Sequence, residues 1–340
     1  MRRSEVSLDR SALARNVARL RDAAAPAGVW AVVKADAYGH GAASIAPAAL
    51  AAGAAGLCVA TAQEGAALRP LVPRDARVLV MGPLADGELE VARASGLEVA
   101  VHEPGAPAGL PVHLKVETGM GRFGMPVEAA LAAPRDGVVG LMSHLATAEE
   151  PDERFAREQL ERFAAVAERF EGVVRHVGNS AAALRFPEAR WEAVRCGIAV
   201  YGLSPFGDDP GHHGLEPVLA WRSYVAATRR LEAGESTGYG RRFVAERPTR
   251  VGLVPVGYAD GFRRGLTGTE VLVDGTRRRV VGTISMDSFA VELGDEPAGA
   301  PVTLIGDGVL AEEHARVLGT INYEITTGIR ADPERADRRA

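Results

Sequence analysis

The stretch Gly28-Val-Trp-Ala-Val-Val-Lys34-Ala-Asp-Ala-Tyr38-Gly-His-Gly41 decides how the first part of the chain folds. Its run Val29–Val33 is continuously apolar, which predicts a strand buried on both faces, because a half-exposed strand would alternate. The run ends in Lys34, at the kind of strand end where α/β folds hold their chemistry. The segment alone leaves two interpretations open. Lys34 either extends into solvent, or it is a partly desolvated amine whose lowered pKa suits a nucleophile or base.

The composition is that of an ordinary globular protein. The 340 residues are 47% hydrophobic and 24% charged, which allows two domains with sizeable cores. A net charge of −5 gives no basic surface for nucleic acid. No apolar run reaches membrane-spanning length, and no secretion signal is recognisable. Cys58 and Cys196 lie in apolar runs and are expected to pack rather than bridge. We therefore predict a cytoplasmic protein that binds neither nucleic acid nor membrane.

Strand-like and helix-like segments alternate over roughly the first two hundred residues, the clearest helices being Thr61–Leu71, Leu84–Ala94 and Pro151–Phe170. The alternation favours a (β/α)8 TIM-like barrel, although an open doubly wound sheet could use the same pattern. No G-x-G-x-x-G follows the first strand, which argues against a dinucleotide site. The eight strand candidates are Val29–Val33, Gly56–Ala60, Arg77–Met81, Leu97–Val101, Val112–Val116, Val138–Ser143, Val173–Val177 and Ala193–Val200.

The pattern changes after a loop rich in Gly, Asp and Pro at residues 207–217. Later segments alternate with period two, and Asp274-Gly275 between two of them is a strong hairpin signal. We predict a barrel at residues 9–214 and an all-β C-terminal domain at 215–340, which takes in a strand within residues 1–8. One short helix, Ala311–Leu318, is expected there. The strand candidates are Leu219–Thr228, Arg250–Val256, Glu270–Val273, Arg277–Thr283, Phe289–Leu293 and Val302–Ile305.

Polar side chains follow five of the eight predicted barrel strands, at the face where barrels carry catalytic groups. Each has an ordinary explanation: a lone histidine is usually structural, Asn179 and Ser180 can cap a helix, and Arg195 can form an ion pair. Coincidence at five strand ends is the weaker explanation. The candidates are Lys34, Tyr38, Lys115, Arg122, His144, His176, Asn179, Ser180, Arg195, Gly197 and Ile198.

These residue types suit a small anionic cofactor. Ser180 and the amides at Gly197 and Ile198 are donors for a phosphate group, and Tyr38 could add a phenol. Lys34 could form a Schiff base with an aldehyde, and a permanently charged arginine could face a ring nitrogen. Such parts fit pyridoxal phosphate, which stabilises carbanions. No metal site is predicted.

The β region adds four weaker candidates. Tyr239 lies between two glycines, and most tyrosines in that setting are surface turn residues. Tyr258 lies in a second glycine-containing loop. Met286 and Asp287 would by default be core filler and a turn.

The residues resemble those of the alanine racemases. The segment from Ala31 to Gly41 resembles that family's cofactor-lysine motif, and the resemblance continues in order over nearly the whole chain. It is carried further by Lys115-Val-Glu-Thr-Gly-Met-Gly-Arg122-Phe-Gly, Ser143-His144-Leu-Ala-Thr-Ala, Asn179-Ser180-Ala-Ala, Val194-Arg195-Cys-Gly-Ile-Ala-Val-Tyr-Gly, Gly238-Tyr239-Gly240, Pro255-Val-Gly-Tyr258-Ala-Asp-Gly and Gly282-Thr-Ile-Ser-Met286-Asp287.

The resemblance implies a pyridoxal-phosphate enzyme that interconverts L- and D-alanine with two bases, D-alanine being a peptidoglycan precursor. Lys34 would carry the cofactor and act as one base. Tyr239 would be the other, reaching the active site of the partner subunit in a head-to-tail homodimer with shared active sites. Arg195 would face the unprotonated pyridine nitrogen.

The resemblance assigns supporting roles as well. Tyr38, Asn179, Ser180, Gly197 and Ile198 would bind the cofactor, chiefly its phosphate. The remaining assignments are His144 in a network from Tyr239 toward Arg195, His176 behind Arg195, Arg122 beside the substrate carboxylate, Met286 and Tyr258 from the partner on the substrate side, Asp287 in support, and Lys115 at a position that is carbamylated in many members.

Two features depart from the family pattern. Glu117 stands where the family usually has Asp, which could shift the surroundings of Lys115 and Arg122 by one methylene. Residues 331–334 do not match the family's C-terminal motif, so no phosphate contact is predicted there.

Three alternatives remain open at this point. A non-catalytic pyridoxal-phosphate carrier would be a barrel alone, without the β domain and Tyr239. A decarboxylase or aldolase of similar build would carry a longer or differently marked C-terminal domain. A racemase acting on serine or a basic amino acid would share the mechanism and differ only in substrate.

Overall fold

The computed structural model describes residues 3–104, 107 and 109–330, together with the backbone of 336–339. These residues form two compact units. One is Ser11–Glu216, and the other combines the described residues on either side of it. Residues 331–334, where no phosphate contact is predicted, lie outside the described part. Within that part, no helix is both long and apolar enough to cross a membrane.

The first unit is an eight-stranded parallel sheet that curves into a nearly closed barrel, so the predicted fold is confirmed. Two backbone bonds span the remaining gap: Glu192 N donates to Arg175 O at 3.1 Å, and Arg195 N donates to Gly178 O at 2.9 Å. After β1 (Ser4–Leu8) of the second unit, the barrel strands are β2 (Gly28–Val32), β3 (Gly56–Val59), β4 (Val78–Val80), β5 (Glu98–Val101), β6 (Val112–Lys115), β7 (Val138–Met142), β8 (Val174–His176) and β9 (Ala193–Cys196).

The helices between the strands bury one face each. In Arg154–Ala167, the residues Ala156, Leu160 and Phe163 recur at helical spacing and are buried. Thr61 and Glu64 form a reciprocal capping box at the start of Ala62–Leu68. The helices that alternate with the barrel strands are α1 (Arg10–Ala24), α2 (Ala42–Ala51), α3 (Ala62–Leu68), α4 (Glu88–Ala94), α5 (Val127–Ala132), α6 (Arg154–Ala167) and α7 (Ser180–Arg185).

Several predicted bounds were too generous. The expected helix Thr61–Leu71 changes to a 3-10 turn after Leu68, where Pro70 lacks an N–H. The helix predicted from Leu84 begins only at Glu88, after Gly87 with φ of +81°. The strand predicted as Ala193–Val200 ends at Cys196, and Ile198–Tyr201 forms a 3-10 turn.

The second unit is rich in antiparallel strands. Its nine-stranded sheet has the order β11-β14-β17-β16-β15-β18-β10-β1-β19. The predicted hairpin is present, and both Asp274 (φ +49°) and Gly275 (φ +78°) are left-handed, as a type I′ turn requires. The elements are β10 (Leu219–Tyr224), β11 (Ala227–Leu231), β12 (Ser236–Thr237), β13 (Phe243–Val244), β14 (Thr249–Val254), β15 (Glu270–Val273), β16 (Thr276–Val281), β17 (Phe289–Leu293), β18 (Pro301–Ile305), α8 (Ala311–Leu318), α9 (Asn322–Thr327) and β19 (Ala336–Arg339).

One strand predicted for this unit was wrong in detail, and several short elements were not predicted. The expected strand Leu219–Thr228 is two strands, because the chain changes partners at Val225, whose amide bonds Ala300 O, and Ala226, whose amide bonds Leu253 O. The elements β12, β13, β19 and α9 were not predicted, because they are too short to show a clear period.

Candidate active site

The chain after Lys34 makes a left-handed turn. Ala35, Asp36, Ala37 and Tyr38 all have φ between 52° and 55°. For residues with a Cβ this conformation costs roughly 1–2 kcal/mol each. Backbone outliers of this kind concentrate at functional sites, where the surrounding structure holds them in place.

Two carboxylates fasten this turn. Glu64 accepts from Ala35 N at 2.8 Å and from Ala60 N at 2.7 Å, which ties the turn to the end of β3. Asp36 Oδ1 accepts from Ala42 N, the first residue of α2, at 2.8 Å. The sequence gives no glycine at these four positions, so the turn was not predicted.

Lys34 is half-buried at the end of β2. Burial lowers the pKa of its amine, and the positive charges of Arg122 and Arg195 lower it further, against a smaller opposing effect of Glu64. More of the amine is therefore neutral near pH 7 than in an exposed lysine. Of the two interpretations of Lys34, the partly desolvated amine is the one that the structure supports.

Tyr38, Ser180 and Gly197 converge beside this turn. A Cβ at Gly197 would lie 2.4 Å from Tyr38 Oη, so the phenol approaches the backbone where only glycine leaves room. Ser180 Oγ accepts from Gly197 N at 3.0 Å and from Ala199 N at 3.4 Å. Burial raises the pKa of Tyr38, which keeps the phenol protonated as a donor. Such uncharged donors fit a phosphate group.

Asn179 is used locally. Its Oδ1 accepts from Ala182 N at 2.9 Å, which is the ordinary cap of a helix start. Helix capping therefore accounts for the side chain of Asn179, and its contact with a cofactor stays a prediction.

Arg195 is almost fully buried, with 4% of its surface exposed. Its guanidinium donates to His176 Nδ1 at 2.7 Å, to Ser143 O at 2.6 Å and to His144 Nδ1 at 3.3 Å. Among the described residues no carboxylate pairs with it, so the ion-pair explanation is wrong. Burial lowers its pKa to about 10, which leaves it charged at neutral pH. Burial and Arg195 together hold the pKa of both histidines well below the usual value.

Glu117 holds the glycine-containing loop that carries Arg122. Its carboxylate accepts from Gly119 N at 2.5 Å, Gly121 N at 3.0 Å and Arg122 N at 3.4 Å. Backbone amides of this loop thus bind the carboxylate of Glu117, whose side chain is one methylene longer than the family's usual aspartate. On the adjoining strand, burial and then Arg195 and Arg122 lower the pKa of Lys115 to about 8.

The second unit gathers the remaining candidates. Thr283 Oγ1 donates to Tyr239 O at 2.8 Å, and Tyr258 N donates to Ser285 O at 3.1 Å. Tyr239 is 72% exposed, Met286 53% and Tyr258 42%, so the default of Met286 as core filler is wrong. A cleft of about 420 Å³ in the same unit is lined by Thr237, Gly238, Tyr239, Leu253, Thr283, Ser285, Ser288, Phe289 and Ala290.

Two residues that hold candidate side chains or loops in place, Gln159 and His113, were not predicted. Gln159 of α6 donates to His144 O and accepts from Ala146 N, which fixes the loop after β7. His113 was passed over although it lies two residues before Lys115 on β6. Because strand side chains alternate, that spacing puts His113 and Lys115 on the same face, and this spacing was the signal by which His113 could have been found.

Comparison with known proteins agrees with this geometry. The family model described as "Alanine racemase, N-terminal domain" matches residues 8–205, and that described as "Alanine racemase, C-terminal domain" matches residues 218–337. The chain belongs to the alanine racemase family. The alanine racemase of Streptomyces coelicolor is 41% identical over 366 residues, which cover 96% of this chain and 94% of that protein.

Solved alanine racemases share the fold. That of E. faecalis is 34% identical with a TM-score of 0.92, covering 99% of this chain and 98% of the other. That of Bartonella henselae, solved with covalently bound pyridoxal phosphate, is 27% identical with a TM-score of 0.89, and 98% of each chain is covered. The recognised resemblance to alanine racemases is thereby confirmed, and the chain is a racemase by family.

Proposed function

We propose that this chain interconverts L- and D-alanine with pyridoxal phosphate bound at Lys34, and that Lys34 and Tyr239 are its two bases. The observation that supports this proposal most is the environment of Lys34. It is half-buried, burial lowers the pKa of its amine, and it begins the turn that brings the Tyr38 phenol against Gly197, whose amide donates to Ser180 Oγ. Alanine as substrate follows from the family and from the relatives' shared name.

The residues present fit this cofactor. When bound, pyridoxal phosphate draws electrons from the substrate α-carbon and so stabilises negative charge there. Tyr38 and Ser180, with backbone amides near Gly197, would hold the phosphate. Lys34 would attach to the aldehyde carbon. Arg195 would donate to the ring nitrogen and, because its own charge is not offset by a carboxylate, would keep that nitrogen unprotonated.

Racemisation needs one proton removed from one face of the α-carbon and one delivered to the other. The Lys34 amine would exchange a proton on one face, and its lowered pKa makes the neutral form available. The Tyr239 hydroxyl would exchange a proton on the opposite face. Arg122 would bind the substrate carboxylate, with Met286 and Tyr258 on the substrate side.

We propose further that Tyr239, Met286 and Tyr258 act on a second copy of the chain in a head-to-tail homodimer. Their exposure of 42–72% supports this, because large side chains grouped on a surface mark sites of association. Both cysteines are free and buried, which suits the reducing cytoplasm that we propose as the location.

The test begins with cofactor attachment. The chain contains only two lysines, Lys34 and Lys115. Borohydride reduction of the pyridoxal-phosphate-loaded enzyme followed by peptide mass mapping therefore has two possible outcomes at lysine, and we expect the label on Lys34. A label on Lys115, or none, would refute the cofactor assignment.

Substrate is tested with the same loaded enzyme. We expect L-alanine to yield D-alanine, measured with a D-amino-acid oxidase assay. Turnover of L-serine or L-lysine without turnover of L-alanine would contradict the substrate assignment while leaving the two bases in place.

A further inference from the structure

A line of buried polar side chains runs from Arg195 through the barrel to a carboxylate that has no part in the steps above. Arg195 Nη1 bonds His176 Nδ1 at 2.7 Å, and His176 Nε2 bonds His113 Nδ1 at 2.8 Å. His113 Nε2 bonds Glu98 Oε2 at 2.7 Å, and Arg77 holds Glu98 through both carboxylate oxygens at 2.6 and 2.8 Å. We call these five residues the barrel relay.

Packing fixes both imidazole rings. His113 and His176 are completely buried. Trp30 stacks on His176 with ring centroids 5.6 Å apart and meets His113 edge-on at 5.7 Å. A Cβ at Gly140 would lie 2.0 Å from His113 Nδ1, so β7 passes this ring at a distance that only glycine permits. Neither ring can turn over without displacing its neighbours.

The identity of the end groups determines where each proton lies. A guanidinium only donates, so His176 Nδ1 must accept from Arg195, and its proton is on Nε2. That proton points at His113 Nδ1, which must also accept, so the proton of His113 is on Nε2 as well. An ionised carboxylate only accepts, and Glu98 accepts that last proton. Every hydrogen bond from Arg195 to Glu98 then has one donor and one acceptor, and both imidazoles are neutral.

The charges around the rings agree with this assignment. Burial lowers the pKa of both histidines, and the positive charges of Arg195 and Arg77 lower it further, while Glu98 acts in the opposite sense on His113. Burial would raise the pKa of Glu98, but the bonds from His113 and Arg77 outweigh it and the net shift is downward. Glu98 therefore remains a carboxylate at neutral pH.

We propose that Glu98 and His113 are positioning residues for Arg195. Glu98 at one end of the line favours the same tautomers that Arg195 requires at the other, so that His176 presents a lone pair, and not an N–H, to the guanidinium. Arg195 is then held by His176 at one nitrogen and by Ser143 O at the other. The effect of Arg195 on the pyridine nitrogen of the cofactor rests on the proposed function. The tautomers of His113 and His176 do not depend on it.

The substitution Glu98→Gln tests whether Glu98 helps to set the tautomers of His113 and His176. The Gln amide can donate to His113 Nε2, which moves the His113 proton to Nδ1, against the Nε2–H of His176. We expect a mixed tautomer population at both histidines and a loss in kcat of about 10-fold, the size typical of residues that orient a catalytic group from behind. Glu192→Gln is the matched control, because Glu192 also binds an arginine of a barrel strand, Arg175, through both oxygens but does not touch the relay.

The deciding measurement is ¹⁵N NMR of the full chain labelled at histidine, recorded with and without pyridoxal phosphate from about pH 6 to about pH 9. We expect the neutral Nε2–H form at His113 and His176 throughout the wild-type series. An Nδ1–H form or an imidazolium at either residue would overturn the proposal. So would Glu98→Gln spectra in which both tautomers are unchanged, or an equal disturbance by Glu192→Gln.

The wild-type spectrum decides even if Glu98→Gln fails to fold. It also separates this inference from the proposed function, since the cofactor-free chain reports the tautomers whatever reaction it catalyses. If the tautomers are as expected but alanine is not turned over, the proposed function is refuted and the tautomer proposal is not.

Discussion

The two groups of candidate residues are built in opposite ways. In the barrel unit Arg195, His176 and Ser180 are buried, and Arg195, with 4% of its surface exposed, has fixed partners on β8 and in the loop after β7. In the second unit Tyr239 is 72% exposed and its loop is held through backbone atoms. This difference supports the proposal that the first group binds the cofactor and that the second acts on another copy of the chain.

Lys34→Ala should have the largest effect. It removes both the attachment point and one base, so we expect kcat to fall by on the order of 10⁴-fold or more. The absorbance of the lysine-bound cofactor should disappear as well. Lys115→Ala, assayed alongside, should retain that absorbance; if it is lost there and kept in Lys34→Ala, the assignment of the attachment lysine is wrong.

Tyr239→Phe should separate catalysis from binding. Loss of one proton-transfer group lowers kcat by roughly 10²–10⁴-fold, while cofactor absorbance is kept because the barrel group is complete without this phenol. Tyr224→Phe on β10 is the control and should be close to wild type. Near-normal turnover in Tyr239→Phe would refute the second base.

Gly197→Ala should weaken cofactor binding. The new Cβ would lie 2.4 Å from Tyr38 Oη, and relief of that overlap must displace the phenol or shift the backbone at residue 197. Overpacking of this kind costs about 1–3 kcal/mol, which corresponds to about 5- to 150-fold in affinity. Fluorescence titration with pyridoxal phosphate measures it, and unchanged affinity would remove Gly197 from the phosphate site.

Lys115→Met should have the smallest effect, on stability alone. The pKa of Lys115 is about 8 in the folded chain and 10.5 when unfolded, so between these values the unfolded chain binds more protons. The free energy of unfolding should therefore rise with pH from about 8 toward 10.5, and this rise should be smaller in Lys115→Met. Urea denaturation of both chains at matched pH values tests it, and parallel curves would show that Lys115 does not titrate in this range, as expected of a carbamylated side chain.

Much of the fold was accessible from sequence because buried parallel strands leave an unmistakable apolar run, as in Val29–Val33. Lys34 and Arg195 were accessible because they follow or lie within such runs, and Ser180 because it comes shortly after a predicted strand. Other features were not. The left-handed turn at residues 35–38 depends on Glu64, which is distant in sequence, and the relay from Arg195 to Glu98 depends on ring orientations that no local pattern encodes. Long-range side-chain partners are what the sequence alone did not supply.

The central claim is that one active site takes Lys34 and Tyr239 from different copies of the chain. It is tested most directly by mixing two inactive variants, Lys34→Ala and Tyr239→Phe, under conditions that exchange subunits. Each mixed dimer would then hold one intact site, and we expect about a quarter of wild-type activity to return at equal amounts. No recovery in purified mixed dimers would contradict the claim. So would activity in mixed dimers of wild type with the Lys34→Ala/Tyr239→Phe double variant, where shared sites leave none intact.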